Sequence, residues 1–363
     1  MTDGLALRLL DDVLAAAPQG AGRQSAIRLS VVGLSKNAGK TVTLNHLVRA
    51  AEQRGIPLGL VSTGRDGEEQ DAITELPKPR IWAPAGAWLV TAREALTAGS
   101  AKVAVFKQLP MMTPFGPMLI GRVETAGEVL LIGPGSAQRM SEALGGLEAY
   151  GARLCLVDGS FDRIAAAAPT VTGRVVLAAG AAYSYSMTET VAQVRHLLDL
   201  FDLPVALPAA GRTVETAARK APVSIAAADG AVTALPVATG LGDPAPIVAA
   251  ALSALADDPG ASLVLQGALG DRLLLSLLKA RAVIPLVVND PTRILVERNL
   301  WRRWRRQGGQ AYVLQPVRLL ALTTNAYSPV GKGYDPHEFF AAIAAVADRP
   351  VYDLMAGLPH TST

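Results

Sequence analysis

The sequence predicts an α/β protein: a mostly parallel sheet flanked by helices, followed by a second, smaller α/β domain. Three observations lead there. Short apolar runs rich in Val, Ile and Leu alternate along the chain with segments of helical periodicity. Several of these runs stop at Gly, Asp or a Gly-bearing turn, as strands do before a crossover helix. Aromatic residues make up only 5% of the chain, so Ala, Val, Leu and Ile must build the interior.

In chain order, residues 5–17 show apolar positions at helical spacing. Ile27–Val32 reads as a buried strand, and Thr41–Arg54 as a helix ending at Gly55. Ile56–Val61 is a second strand, followed by the polar loop Ser62–Asp71. Pro77–Gly86 is an excursion, because its prolines fit neither a helix nor a central strand. Glu128–Ile132 precedes Gly-Pro-Gly-Ser and a helix over 137–149. Arg153–Val157 ends at Asp158, and Val175–Ala179 ends at Gly180 before a helix near 187–201. Beyond a stretch rich in Ala, Pro and Gly (205–242), a second set follows: Ser262–Leu265, helix 270–280, Val283–Val288, helix 293–307, Ala311–Leu314, Leu319–Thr323 and helix 336–347. The expected domains are 1–204 and 205–363, with the boundary between 205 and 245. Right-handed crossovers would place ligands at the carboxyl ends of the strands.

Composition narrows the function. With 363 residues, 50% hydrophobic and 18% charged, the chain is too apolar to be disordered. A net charge of +3 gives no case for nucleic acid or an anionic membrane as partner. The mean hydropathy is +0.29, yet the apolar runs fall short of the roughly 18 residues a spanning helix needs. The N-terminal stretch carries Asp11 and Asp12 and does not resemble a signal peptide. A single cysteine, Cys155, excludes an internal disulfide and a Cys-rich zinc site. A soluble cytoplasmic protein is expected.

The strongest chemical signal is Gly33-Leu34-Ser35-Lys36-Asn37-Ala38-Gly39-Lys40-Thr41, between the first strand and its helix. Backbone N–H groups of such a loop wrap a phosphate chain, and the helix adds its positive N-terminal end. Gly39 lets the backbone approach the anion, Lys40 supplies charge to the terminal phosphates, and the Thr41 hydroxyl enters a Mg²⁺ shell. Gly33, Ser35, Lys36, Asn37, Ala38, Gly39, Lys40, Thr41 and Val42 are therefore the expected nucleotide-binding residues. The spacing is Gly-x5-Gly-Lys-Thr, one residue longer than the common pattern.

A longer loop ending in Gly-Lys-Thr near the start of the sheet resembles the P-loop class that contains dethiobiotin synthetase, cobyrinate amidases and partition ATPases. The resemblance covers about the first 200 residues and implies a P-loop NTPase domain using ATP and Mg²⁺. Partition ATPases carry a lysine five positions before the loop lysine. Here that position is Ser35, with Lys36 one residue closer, so the likeness does not extend to that lysine. Thr63-Gly64-Arg65-Asp66-Gly67-Glu68 and Leu156-Val157-Asp158-Gly159-Ser160-Phe161-Asp162-Arg163 are similar to P-loop accessory proteins of adenosylcobalamin-dependent aminomutases, such as a lysine 5,6-aminomutase reactivase subunit. That likeness implies a protein partner, a cobalamin-dependent aminomutase, served by nucleotide-driven shape change.

A phosphate loop needs a carboxylate from another strand to hold hydrated Mg²⁺. Asp158 ends the apolar run Leu154–Val157, and Asp66 lies in the loop after the second strand. Lys40, Asp66 and Asp158 are the expected catalytic residues; Thr41, Asp66 and Asp158 are the expected metal ligands. Arg65 and Arg163 either touch phosphate or form ordinary pairs with their neighbouring aspartates.

Other signals are weaker. Arg293–Arg306 contains six arginines and two tryptophans, but Trp301 and Trp304 fit a buried helical stripe with Ile294 and Leu300. His46, His196, His337 and His360 lack metal-ligand spacing, and Cys155 sits within an apolar strand. Asn325–Tyr334 is either a turn or a second ligand loop in the C-terminal domain, and Ser328 has no triad partners. The leading expectation is a Mg²⁺-dependent ATPase whose slow hydrolysis is coupled to a partner. A carboxylate-activating ligase resembling dethiobiotin synthetase is the alternative, with Lys36 and Arg65 available to hold an acid.

Overall fold

The structure, a computed structural model, describes residues 2–16, 26–66, 80–159, 168, 170–206, 221–329 and 331–360, with residues 2, 3, 65, 66 and 360 described by backbone alone. Helix α1 (Thr2–Ala15) precedes β1 (Ile27–Gly33), which is buried apart from half-buried Arg28. A strand covered on both faces reads as a continuous apolar run, and IRLSVVG does. There follow α2 (Lys40–Gln53), β2 (Leu58–Ser62), β3 (Arg65–Asp66), β4 (Ile81–Ala83), β5 (Trp88–Ala92) and the hairpin β6 (Lys102–Thr113) and β7 (Gly116–Thr125). After β8 (Gly127–Val129) and β9 (Leu131–Ile132) come α3 (Ala137–Ala149), β10 (Leu154–Asp158), β11 (Arg174–Gly180) and α4 (Met187–Phe201).

A separate run of elements comes next: β12 (Val223–Ala226), β13 (Val232–Ala234), α5 (Ala245–Asp257), β14 (Ser262–Leu265), β15 (Leu269–Gly270), α6 (Asp271–Lys279), β16 (Leu286–Val288), β17 (Ile294–Leu295), α7 (Arg298–Arg306) and β18 (Ala311–Val313). The chain ends with β19 (Arg318–Asn325), α8 (Pro336–Ala344), β20 (Val351–Asp353) and β21 (Leu358–His360).

Ten strands form one sheet in the order β21-β20-β19-β11-β1-β10-β2-β5-β7-β6. Every pair from β20 to β5 is parallel, and antiparallel strands close both ends. The fold is thus α/β with a large, mostly parallel sheet. Strand β1 lies near its centre, between β10 and β11.

The chain divides into one unit of Met1–Arg195 with Arg318–Thr363, and a second of His196–Val317. This corrects the expectation of consecutive domains at 1–204 and 205–363. The physical reason is β19, which pairs in parallel with β11 from Arg174↔Arg318 to Gly180↔Asn325. The last stretch therefore completes the first sheet, and only 196–317 is inserted. That inserted unit carries its own five-stranded sheet, β13-β12-β14-β16-β18, parallel from β14 to β18.

Alternation along the central strands fills two cores. Leu154 and Leu156 of β10 join Leu29 and Val31, Leu9 and Leu10 of α1, and Leu44 and Leu47 of α2. Cys155 and Val157 point the other way and pack with Val90, Ile120 and Met140, Leu144 and Leu147 of α3. Each fully buried leucine contributes roughly 1.5–3 kcal/mol by leaving water. Leu156→Ala, at 0% exposure, would cost about 2–5 kcal/mol. Among the described residues no helix is long and apolar enough to cross a membrane.

Candidate functional site: the loop between β1 and α2

β1 ends at Gly33, and the chain turns through residues 34–39 before α2 begins at Lys40. Two residues of the turn are left-handed, Asn37 (φ 59°) and Gly39 (φ 99°). Asparagine tolerates that region and glycine has no Cβ to oppose it, so this sequence can curl its N–H groups inward. Gly39 gives α2 no side-chain cap, and no acidic residue occupies the first helical turn. The partial positive charge of the helix N-terminus is therefore not compensated locally.

The loop is pinned from several sides. Leu34 N–H donates to the Ala178 carbonyl of β11 at 3.0 Å. Ala38 is fully buried against the end of β11, where a Cβ on Gly180 would lie 2.5 Å from Ala38 Cα. Only glycine permits that approach. A Cβ on Gly33 would lie 2.8 Å from Lys40 Cγ, so Gly33 makes room for the lysine stem to cross the loop. The Lys40 ammonium donates to the Ser35 carbonyl at 3.4 Å, and Ser35 Oγ donates to the Lys36 carbonyl at 3.0 Å. Thr41 and Val42 follow half-buried in the first turn of α2, and the Val42 carbonyl meets His46 Nδ1 at 2.9 Å. His46 is thereby tied to its own helix.

Asp158 stands at the carboxyl end of the neighbouring strand. It pairs with Val31 of β1 and Ser62 of β2 in register, and is 1% exposed. Its carbonyl accepts from Thr63 N–H at 2.9 Å and from Thr63 Oγ1 at 3.3 Å. The segment after β2 is held close by Gly133: Gly133 N–H donates to the Gly64 carbonyl at 2.6 Å, and a Cβ on Gly133 would lie 1.8 Å from the Ser62 carbonyl oxygen. Arg65 and Asp66 form β3, antiparallel to β9. Their side chains, residues 67–69, and Asp162 with Arg163 lie outside the described part of the structure.

One neighbour of the loop was not expected there. Asn325, the last residue of β19, donates from Nδ2 to the Asn37 carbonyl at 3.3 Å. A Cβ on Gly39 would lie 2.9 Å from Asn325 Cβ. The loop read from sequence as a turn or second ligand site thus begins beside the loop between β1 and α2. Its signal was a polar residue ending an apolar strand, the same signal that marks Asp158. Further in, Thr323 and Thr43 share a buried hydroxyl hydrogen bond of 2.8 Å, joining β19 to α2.

Other chemically suggestive residues take structural places. Cys155 is fully buried, and burial, reinforced by Glu148, pushes its thiol up to about 12. His196 is buried in the inserted unit; desolvation lowers its pKa, with Asp199 opposing. Trp301 and Trp304 are each 2% exposed with rings 5.0 Å apart, while Arg302, Arg303, Arg305 and Arg306 face solvent. Family models, curated proteins and solved structures gave no match to this chain.

Proposed function

We propose that this chain is a Mg²⁺-dependent P-loop nucleoside triphosphatase that takes ATP and couples slow hydrolysis to a change of shape on a protein partner. The observation that carries this reading is the pairing of elements at one end of the sheet. A left-handed, glycine-bearing loop leads into an uncompensated helix N-terminus, and a buried carboxylate ends the adjacent strand.

The residues fit the groups required. Mg²⁺ prefers oxygen ligands and keeps waters and substrate phosphates, rather than an all-protein cage. The Thr41 hydroxyl and the Asp158 carboxylate are such ligands, with Asp66 on the neighbouring segment. Among the described residues no cluster of three or more His, Cys, Asp or Glu offers a different kind of metal site. When bound, Mg²⁺ offsets negative charge on the phosphates. Lys40 places its charge on the same chain, the loop N–H groups hold the phosphate oxygens, and Gly33 and Gly180 keep the loop in shape. Ser62–Asp66 borders Asp158 and is the segment suited to respond when a phosphate leaves. Asn325 is followed by Ala-Tyr-Ser rather than Lys-x-Asp, which favours ATP over GTP. The sequence likeness to aminomutase accessory proteins makes a cobalamin-dependent aminomutase the partner of choice.

Calorimetry with Mg-ATP and phosphate release tests this on the wild type and Lys40→Ala, with circular dichroism as the fold control. Binding by the wild type, and at least tenfold weaker binding by a folded Lys40→Ala, is the expected result. Equal behaviour of the two proteins would remove the loop from function. Turnover that needs a carboxylic acid, with a product of added mass, would replace the partner-coupled reading by the ligase.

A further inference from the structure

The long strand β6 is the terminal strand of the ten-stranded sheet, and among the described residues no strand pairs with its outer edge. Alternate backbone N–H and C=O groups of such an edge point outward, ready to receive another strand. Its side chains add an apolar surface: Val105, Phe106 and Met112 are 51, 52 and 67% exposed. Phe106 is the extra residue of a bulge, since Val105 faces Gly121 and Lys107 faces Ile120. Its ring packs edge-on against Trp88 at 4.9 Å and against Tyr150 at 6.1 Å, and the Arg122 guanidinium covers Trp88 at 5.5 Å. The exposed ring is therefore held in place by its neighbours, which lowers the ordering cost of a docking event.

Charge identifies the occupant. Lys102 and Lys107 are exposed on β6, with exposed Arg93 and Arg122 beside them against Glu94 and Glu124. A second copy of this chain would crowd two lysines from each copy on to one short ribbon, and like charges across strands are destabilising. An acidic segment meets the same lysines favourably. Lysine on an edge strand ordinarily discourages chance pairing, so here it also selects by sign. Pro110 lacks an N–H and limits the usable edge to Lys102–Leu109, eight residues or about 27 Å of strand.

We propose that β6 is a docking edge for an extended, acidic and apolar segment of a partner protein. The segment adds as a strand along Lys102–Leu109, its apolar side chains on the face that carries Val105 and its carboxylates on the opposite face, toward Lys102 and Lys107. The proposal does not depend on nucleotide binding.

The probe is a labelled decapeptide, (Glu-Val)5, with (Lys-Val)5 as its charge-reversed control, titrated into the full chain by fluorescence anisotropy. Amide hydrogen exchange then locates the contact. Micromolar binding of the acidic peptide is expected, with protection confined to the β6–β7 hairpin. Lys102→Glu/Lys107→Glu should weaken the acidic peptide at least tenfold and favour the basic one, while leaving Mg-ATP binding as in the wild type. Equal binding of both peptides, or binding that leaves β6 unprotected, overturns the proposal. So does a dimer seen by light scattering that protects β6, because the edge then belongs to a second copy.

Discussion

The side-chain amide of Asn325 donates to the backbone carbonyl of Asn37 at 3.3 Å, across 288 positions of sequence. Asn37 holds a left-handed backbone (φ 59°), and the next left-handed residue, Gly39, packs against Asn325 Cβ. The end of β19 thus braces the two residues that give the loop its curl. Asn325→Ala should leave the fold intact, since one part-buried hydrogen bond contributes only about 0.5–1.5 kcal/mol. Mg-ATP affinity measured by calorimetry should fall at least tenfold. Unchanged affinity would reduce the contact to packing.

Gly180 offers a sharper test of the loop's shape. A Cβ there would lie 2.5 Å from Ala38 Cα and 2.9 Å from its carbonyl carbon and oxygen, all backbone atoms that cannot swing aside. Gly180→Val should displace the loop and abolish nucleotide binding while the ten-stranded sheet survives, as circular dichroism would record. Gly145 in α3 has open space where a Cβ would stand, so Gly145→Ala is the matched control. It should raise stability by up to about 1 kcal/mol.

Cys155 should resist thiol reagents in the native protein. Burial pushes its thiol up to about 12 and shields it from solvent, so at pH 8 very little of it carries the reactive charge. Ellman's reagent should label it only after denaturation. Rapid labelling of the folded protein would mean that β10 opens readily.

His196 gives the inserted unit a pH dependence of known sign. Burial lowers its pKa below the ordinary 6.5, so the unfolded chain binds the proton more readily. Stability is full above that ordinary value and falls as the pH drops through it, levelling off only below the folded-state pKa. Urea titrations of the wild type between pH 7 and 5 should show this slope, and His196→Gln should flatten it. An unchanged slope would assign the effect to another group.

Local chemistry made the core of the candidate site legible. Gly33, Gly39, Lys40 and Thr41 lie within nine consecutive residues, and Asp158 ends a run that is apolar throughout, so each could be found without knowing the fold. Gly-Pro-Gly-Ser likewise stood before the helix expected over 137–149, and Ser136 Oγ accepts from Arg139 N–H at 3.4 Å in the first turn of α3. The hairpin Lys102–Thr125 gave no such signal. Its strands lie partly exposed, a bulge at Phe106 breaks the two-residue alternation, and Pro110 argues against strand. Nor did the sequence place Asn325. Its position depends on β19 pairing with β11 across the inserted unit, and strand order of that range has no local signature.

The insertion also sets a timetable. During synthesis the residues of the loop between β1 and α2 emerge first, and Asn325 follows 288 positions after Asn37. At about 5–20 residues per second, the loop waits roughly 15–60 s for its brace. A nascent chain can assemble β1, β2, β10 and β11 in that interval, but the edge of β11 that will receive β19 stays open until the inserted unit has been made. Nucleotide binding should accordingly be acquired late in translation, and a ribosome stalled within residues 196–317 should display a chain with the motif yet without the grip.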